Sequence, residues 1–270
     1  MIRRSWRVYI TMVTRLCVVG ATGKFGRMLL SNVPPDFRIS GAFARNENPL
    51  CGRTLKEAGI GESDAIIEGV SRLPDRVNGC DMMLFVSNPQ VDVANVHVGV
   101  EKGKKIVIGT TGFDKEQESI LRTHLSKVPS LVAPNFSIGA NILFLLSGVL
   151  SRFASEYQFT VIEHHHTAKR DAPSGTARAI VNALDPHSRM RVITDRTTSP
   201  RSDGEIEVYS VRGGTVPGIH RIIASGEDEF IELGHTAFSR KAFVRGCYAA
   251  CRWLTLKDDP GVYTMRDVLG

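Results

Sequence analysis

Chemistry-bearing residues crowd into positions 163–176, which read E-H-H-H-T-A-K-R-D-A-P-S-G-T. Three of the chain's eight histidines stand side by side here, followed by Lys169 and a Pro-Ser-Gly-Thr turn. An imidazole titrating near neutrality and a lysine can both deliver protons. Ser174 is a natural N-cap for a helix opening at Gly175 and Thr176, whose free N–H groups and hydroxyl would receive an anion such as a carboxylate. The combination suits protonation of a bound anionic substrate. A metal site is the competing chemistry, but adjacent imidazoles converge poorly on one ion, and neither an H-E-x-x-H spacing nor a neighbouring Cys/Asp cluster completes a shell; no metal is expected. A nucleophilic Ser174 would call for a G-x-S-x-G elbow where the chain has P-S-G. A solvated polar loop is the plain structural alternative.

The elements that must hold these residues follow from the flanking sequence. Residues 158–162 form a strand that should end at Glu163, placing the histidines and Lys169 on a loop between strand and helix. Near the amino end, the apolar run 16–19 leads into G-A-T-G-K-F-G at 20–26, the strand, glycine turn and helix of a dinucleotide-binding unit. Gly20 permits the turn, Gly23 lets backbone approach a pyrophosphate, and Gly26 lets the helix pack closely. At the end of the next strand, 37–44, a ribose-binding carboxylate would be expected, but Ala44-Arg45-Asn46 stands there. Arg45, helped by Lys24, suits a 2′-phosphate, which favours NADPH over NADH, with NADH still possible. Apolar strands at 82–86, 105–108 and 128–132 each end in small polar residues that should line the ligand crevice.

From residue 138 the pattern changes. A long helix over 138–153 precedes alternating strands at 158–163, 206–211, 221–224 and 229–233, the pattern of a mixed sheet with one exposed face. Residues 185–205 look loop-like, and a helix over 241–254 returns to the first domain. The expected fold is α/β: a Rossmann-like domain from 1–136 and 247–270, and an α+β domain from 137–246 for substrate binding and oligomerisation. In 270 residues two modest cores are the natural arrangement. The net charge of +6 is spread without like-charge blocks, which disfavours nucleic acid, and the longest apolar run is too short for a membrane span. Five scattered cysteines point to reduced, buried thiols in a cytoplasmic protein. The first eleven residues read as an extended start or loose tail, not a targeting peptide.

H-H-T-A-K-R-D-A-P-S-G-T-A (165–177) resembles the signature of the dihydrodipicolinate reductase family, now called 4-hydroxy-tetrahydrodipicolinate reductase. V-G-A-T-G-K-F-G (19–26), G-T-T-G-F (109–113), A-P-N-F-S-I-G-A-N (133–141), H-T-A-F-S-R-K-A-F-V-R-G (235–246) and the closing G-V-Y-T-M-R-D-V-L-G (261–270) match it in order. The resemblance implies reduction of a cyclic imine dicarboxylate in lysine and diaminopimelate biosynthesis by a homotetramer. It implies His165 as general acid, assisted by Lys169, and His166, Lys169, Ser174, Gly175 and Thr176 as substrate binders. For the cofactor it implies Gly20, Ala21, Thr22, Gly23, Lys24, Phe25, Gly26 and Arg45, then Phe85, Gly109, Thr110 and Thr111, and lastly Ala133, Pro134, Asn135 and Phe136. The chain departs from the family at Ala44, often acidic there, and in the run from Phe85 to Pro89. Two other functions stand beside this one: a different NADP-linked two-domain dehydrogenase, and a non-catalytic NADPH-binding protein.

Overall fold

The computed structural model describes residues 13–196 and 198–270, so the reading of the first eleven residues lies outside it. The chain divides into two compact units. One runs to Pro134 and takes up again at Cys247–Val268; the other is Asn135–Gly246 with Leu269–Gly270.

The first unit begins with β1 (Thr14–Val19), α1 (Lys24–Leu30), β2 (Phe37–Ala44), β3 (Ile67–Gly69) and the short α2 (Leu73–Arg76). It continues through β4 (Met82–Phe85), α3 (Pro89–Glu101), β5 (Lys105–Ile108), α4 (Lys115–Leu125) and β6 (Pro129–Val132). β4 is buried at every position and β5 at all but the first, as apolar runs must be when both sheet faces are covered. The helix starts are written locally: Asn88 caps α3 with Pro89 at its first position, and Asp114 and Gln117 form a reciprocal capping box on α4.

The second unit holds α5 (Ile138–Leu150), β7 (Gln158–His165), α6 (Gly175–Leu184), β8 (Arg191–Ile193), β9 (Glu205–Arg212), β10 (Gly218–Ser225) and β11 (Phe230–Ala237). α7 (Lys241–Thr255), β12 (Gly261–Tyr263) and α8 (Met265–Leu269) close the chain. β12 joins the first sheet, whose order is β12-β6-β5-β4-β1-β2-β3 with every pair parallel. The strand order reverses between β1 and β4, the point in open parallel sheets where ligands bind. The second sheet, β11-β10-β7-β9-β8, is mixed: β7 runs antiparallel to β10 and parallel to β9.

Two sequence expectations need correction. β7 does not stop at Glu163 but pairs with β9 through His165, because His165 continues the buried alternation of Phe159, Val161 and Glu163. The stretch 185–205 is not all loop: β8 lies within it, held parallel to β9 and anchored where Arg191 and Arg196 bind Glu205. All five cysteines are free; Cys17, Cys80, Cys247 and Cys251 are buried, whereas Cys51 is half-buried.

On one face of the second sheet, Phe159, Val161, Ile206, Val208, Ile222 and Ala224 pack with Leu143 and Leu150 of α5 and Ala177, Ile180 and Leu184 of α6. This core fixes where β7 ends and α6 begins. Phe159→Ala should cost about 3–5 kcal/mol, the usual penalty for emptying a fully buried aromatic site. Urea unfolding of the full chain checks it, and a cost near zero would contradict the packing.

Candidate active site

Past the two apolar rows of that sheet face comes a polar one. Register places Ser210 of β9 opposite Glu163 of β7, Glu163 opposite His220 of β10, and His220 opposite His235 of β11. Along β7 the next residue on this face is His165, opposite Arg212. A hydrophobic strand face thus turns polar just where it passes the start of α6.

Glu163 is completely buried and ties the row together. Its Oε1 accepts from the Ser174 backbone N–H at 3.0 Å, the Ser210 hydroxyl at 2.7 Å and Arg212 Nη2 at 2.9 Å. Burial works against its charge, but the hydrogen bonds from Ser174, Ser210 and Arg212 win and hold the carboxyl down at about 2. Oε2 lies 3.1 Å from His165 Nδ1 and 3.9 Å from His220 Nε2. The His165 and His220 rings meet edge-on at 5.1 Å. Burial lowers the His165 imidazole, while Glu163 pulls it up and Lys169 and Arg212 push it down. For His220, burial and the neighbouring His165 lower the value to about 4.

Ser174 caps α6 as expected, its hydroxyl accepting from the Ala177 N–H at 3.1 Å. With its own N–H given to Glu163, the donors left at this helix start are the first two helical N–H groups, Gly175 and Thr176. The Thr176 hydroxyl accepts from Asn135 Nδ2 at 3.2 Å. His166 and Lys169 lie on the loop after β7: Lys169 Nζ reaches Asp171 at 2.7 Å, and His166 Nε2 is 3.5 Å from Arg240 Nη2. His165 differs from both, being buried on the strand instead of the loop. Glu163, Ser210, Arg212, His220, His235 and Arg240 were not singled out by the sequence reading. Glu163 and His165 stand two apart on one strand, a signal available in principle; the other five come from strands or loops at least forty residues on.

Glu163, His165 and His220 also bring their donor atoms within 4.8 Å of one another, a trio that sequence spacing alone does not disclose. The Arg212 guanidinium, 2.9 Å from Glu163 Oε1, supplies the carboxylate with a counter-charge.

In the first unit a cleft of about 270 Å³ opens at the carboxyl ends of β1, β2 and β4. Gly20, Thr22 and Gly23 line it beside Arg45, Asn48, Ser87 and Asn88, and none of its lining residues is acidic. Gly20 adopts φ +98°, and a Cβ there would sit 2.5 Å from the Val86 carbonyl oxygen; a Cβ at Gly26 would sit 2.1 Å from the Gly20 oxygen. Both glycines are therefore obligatory to the turn. Such a turn beside a cationic strand end fits a phosphate-bearing dinucleotide. Ala21 and Gly26 are buried beneath the turn, Phe25 is half-buried, and Lys24 is exposed. Phe85 is fully buried in the core, and the next three residues line the cleft in its place. Thr110 Oγ1 accepts from the Ser87 N–H at 2.9 Å, and Ser87 bonds the buried Asp92, whose carboxyl burial pushes up to about 6 against the pull of Ser87 and Thr110. Gly109 is half-buried and Thr111 exposed. Ala133 and Pro134 end the first unit's opening segment, whereas Asn135 and Phe136 belong to the second.

Comparison with known proteins agrees with this architecture. Family models described as "Dihydrodipicolinate reductase, N-terminus" and "Dihydrodipicolinate reductase, C-terminus" match residues 14–136 and 139–269. The chain belongs to the dihydrodipicolinate reductase family. It is an oxidoreductase of that family. The 4-hydroxy-tetrahydrodipicolinate reductase of Archaeoglobus fulgidus is 36% identical over 264 residues, 94% of this chain and 99% of the relative. That of Methanopyrus kandleri is 35% identical, covering 93% and 95%. A dipicolinate-bound dihydrodipicolinate reductase from Paenisporosarcina sp. TG-14 shares the fold at a TM-score of 0.71 and 22% identity, covering 94% of this chain and 98% of that one. Among the described residues no helix is long and apolar enough to cross a membrane.

The depressed His220 makes stability depend on pH. Unfolding restores the ordinary value of 6.5, so its contribution is full above about pH 6.5 and is lost as pH falls toward 4. The wild-type chain should lose roughly 3 kcal/mol over that window from this group. His220→Gln should flatten the slope in urea unfolding; an identical slope would contradict it.

Proposed function

We propose that this chain reduces 4-hydroxy-tetrahydrodipicolinate to tetrahydrodipicolinate with NADPH as preferred reductant, in the route to lysine and diaminopimelate. The observation that carries the reading is the joint anchoring of His165 and the start of α6 on one buried carboxylate, Glu163. Substrate of this class is a small ring bearing two carboxylates, so it needs cationic and N–H partners beside a proton donor.

The reduced nicotinamide supplies the hydride when bound. One substrate carboxylate is received by the Gly175 and Thr176 N–H groups and the Thr176 hydroxyl, where the helix dipole favours negative charge. The Lys169 ammonium exchanges Asp171 for a substrate carboxylate, and His166 with Arg240 flanks the same loop. His165, as imidazolium, gives its proton to the ring as electron density arrives there. Ser174 acts by shaping the helix start, because its hydroxyl and N–H are both engaged within the protein.

Arg45 lines the cleft beside Asn48, whose Nδ2 donates to Thr22 Oγ1 at 3.1 Å and steadies the glycine turn. With no acidic lining residue to repel it, a 2′-phosphate pairs with the guanidinium. A homotetramer built on the second sheet fits the apolar residues on that sheet's outer face, such as Val211 and Phe230, which stand exposed in the single chain. A cytoplasmic location suits the odd, scattered cysteines.

The test is NADPH oxidation by the full chain with cyclic imine freshly formed from pyruvate and aspartate semialdehyde. Turnover is expected, and His165→Gln should lower kcat at least a hundredfold with a smaller change in KM. Folded wild-type protein without turnover would overturn the reading. Arg45→Ala should raise the KM for NADPH several-fold more than that for NADH; an unchanged ratio would remove the phosphate argument.

A further inference from the structure

Glu163 keeps a charge where no solvent reaches it, and its two oxygens are used unequally. Oε1 takes three donors, whereas Oε2 has no hydrogen bond of its own. The atom nearest to Oε2 in function, His165 Nδ1 at 3.1 Å, is equally buried and equally unpartnered, so the contact lacks only alignment. On the far side of the ring, a Cβ at Gly218 would come within 3.1 Å of Nε2, so glycine there leaves that nitrogen's approach open.

We propose that Glu163 is a positioning residue for the reductase: its Oε2 takes the Nδ1–H of His165, fixing the ring so that Nε2 faces the substrate and can carry the transferable proton. The proposal rests on the reading of His165 as the acid. In the transfer, the Nε2–H bond of the imidazolium breaks and the proton passes to the reduced ring. His165 is left neutral with its remaining proton on Nδ1, against Glu163, and Nε2 is recharged from solvent. Burial alone would strip the imidazole of its proton, and a fixed carboxylate opposes that loss. The other charged or titratable groups facing His165 are Arg212 from β9, His220 from β10, and Lys169 and Asp171 from the loop. His235 of β11 stands behind His220. Arg212 and Lys169 disfavour the imidazolium, and His220 stays neutral at working pH and does not compete for the proton.

Nitrogen-15 NMR of the ligand-free full chain reads the state of His165 directly. In wild type above its pKa the ring should be the Nδ1–H tautomer; an Nε2–H tautomer would overturn the proposal without any variant. In Glu163→Gln the His165 pKa should fall by about one unit or more. The alkaline limb of kcat/KM should move down with it, giving about a tenfold loss above the wild-type pKa. Ser210→Ala removes one anchor but keeps the charge, and should leave the titration close to wild type. An unchanged His165 titration in folded Glu163→Gln reduces Glu163 to a structural tie and overturns the proposal. A shifted titration with unchanged kcat supports the Glu163–His165 link and instead removes His165 from the role of acid.

Discussion

A carboxylate sealed inside a sheet must be matched by partners or be neutralised, and Glu163 is matched by three donors on one oxygen, with the His165 ring 3.1 Å from the other. The Ser174 N–H comes from the helix start, Ser210 and Arg212 from a parallel neighbour, and His165 from two residues along its own strand. Each partner gains a fixed place in return. The same carboxylate therefore touches the entry of α6, the neighbouring strand β9 and the Nδ1 side of the imidazole.

The first unit works under a different constraint, which is steric. Gly20 and Gly26 exist because backbone crowds backbone at the turn after β1, leaving no space for side chains. That crowding keeps a cleft open at the reversal of strand order, with Arg45 at its rim. Across the first sheet, the Ser87 N–H joins the end of β4 to that of β5 through Thr110 Oγ1, and the Ser87 hydroxyl ties this point to Asp92 of α3. Both units therefore gather polar groups at strand ends, one around a glycine turn and the other around a buried charge.

Much of this was legible in the sequence. The first sheet's strands are short, apolar and bounded by glycine or polar turns, and 37–44 and 105–108 coincide with β2 and β5. The cap at Ser174 was visible because N-capping is local chemistry. What stayed hidden is non-local. Reading β7 as ending at Glu163 treated two histidines as loop residues, since a polar residue after four alternating positions looks like a strand end. Only the register with β9 and β10 shows that Glu163 and His165 continue the inward face. His220, His235 and Arg212 enter the site across strands, and no spacing along the chain announces them. Around Phe85 the family-like motif marks the region, while burial decides which side chains line the cleft: Phe85 is in the core, and Val86, Ser87 and Asn88 face the opening. The departure from an acidic residue at Ala44, by contrast, was read from sequence and leaves the structural cleft with no acidic lining residue.

The claim at the centre is that one buried carboxylate presents both an anion-binding helix start and a proton donor to the same small dianion. The most direct measurement is a crystal structure of the chain with NADP⁺ and dipicolinate, the planar dicarboxylate held by the Paenisporosarcina relative. The expected result is one carboxylate on the Gly175 and Thr176 N–H groups, Lys169 turned from Asp171 to the ligand, and His165 Nε2 facing the ring with Nδ1 on Glu163. A ligand seated away from these groups, or one that leaves His165 turned from it, would contradict the claim.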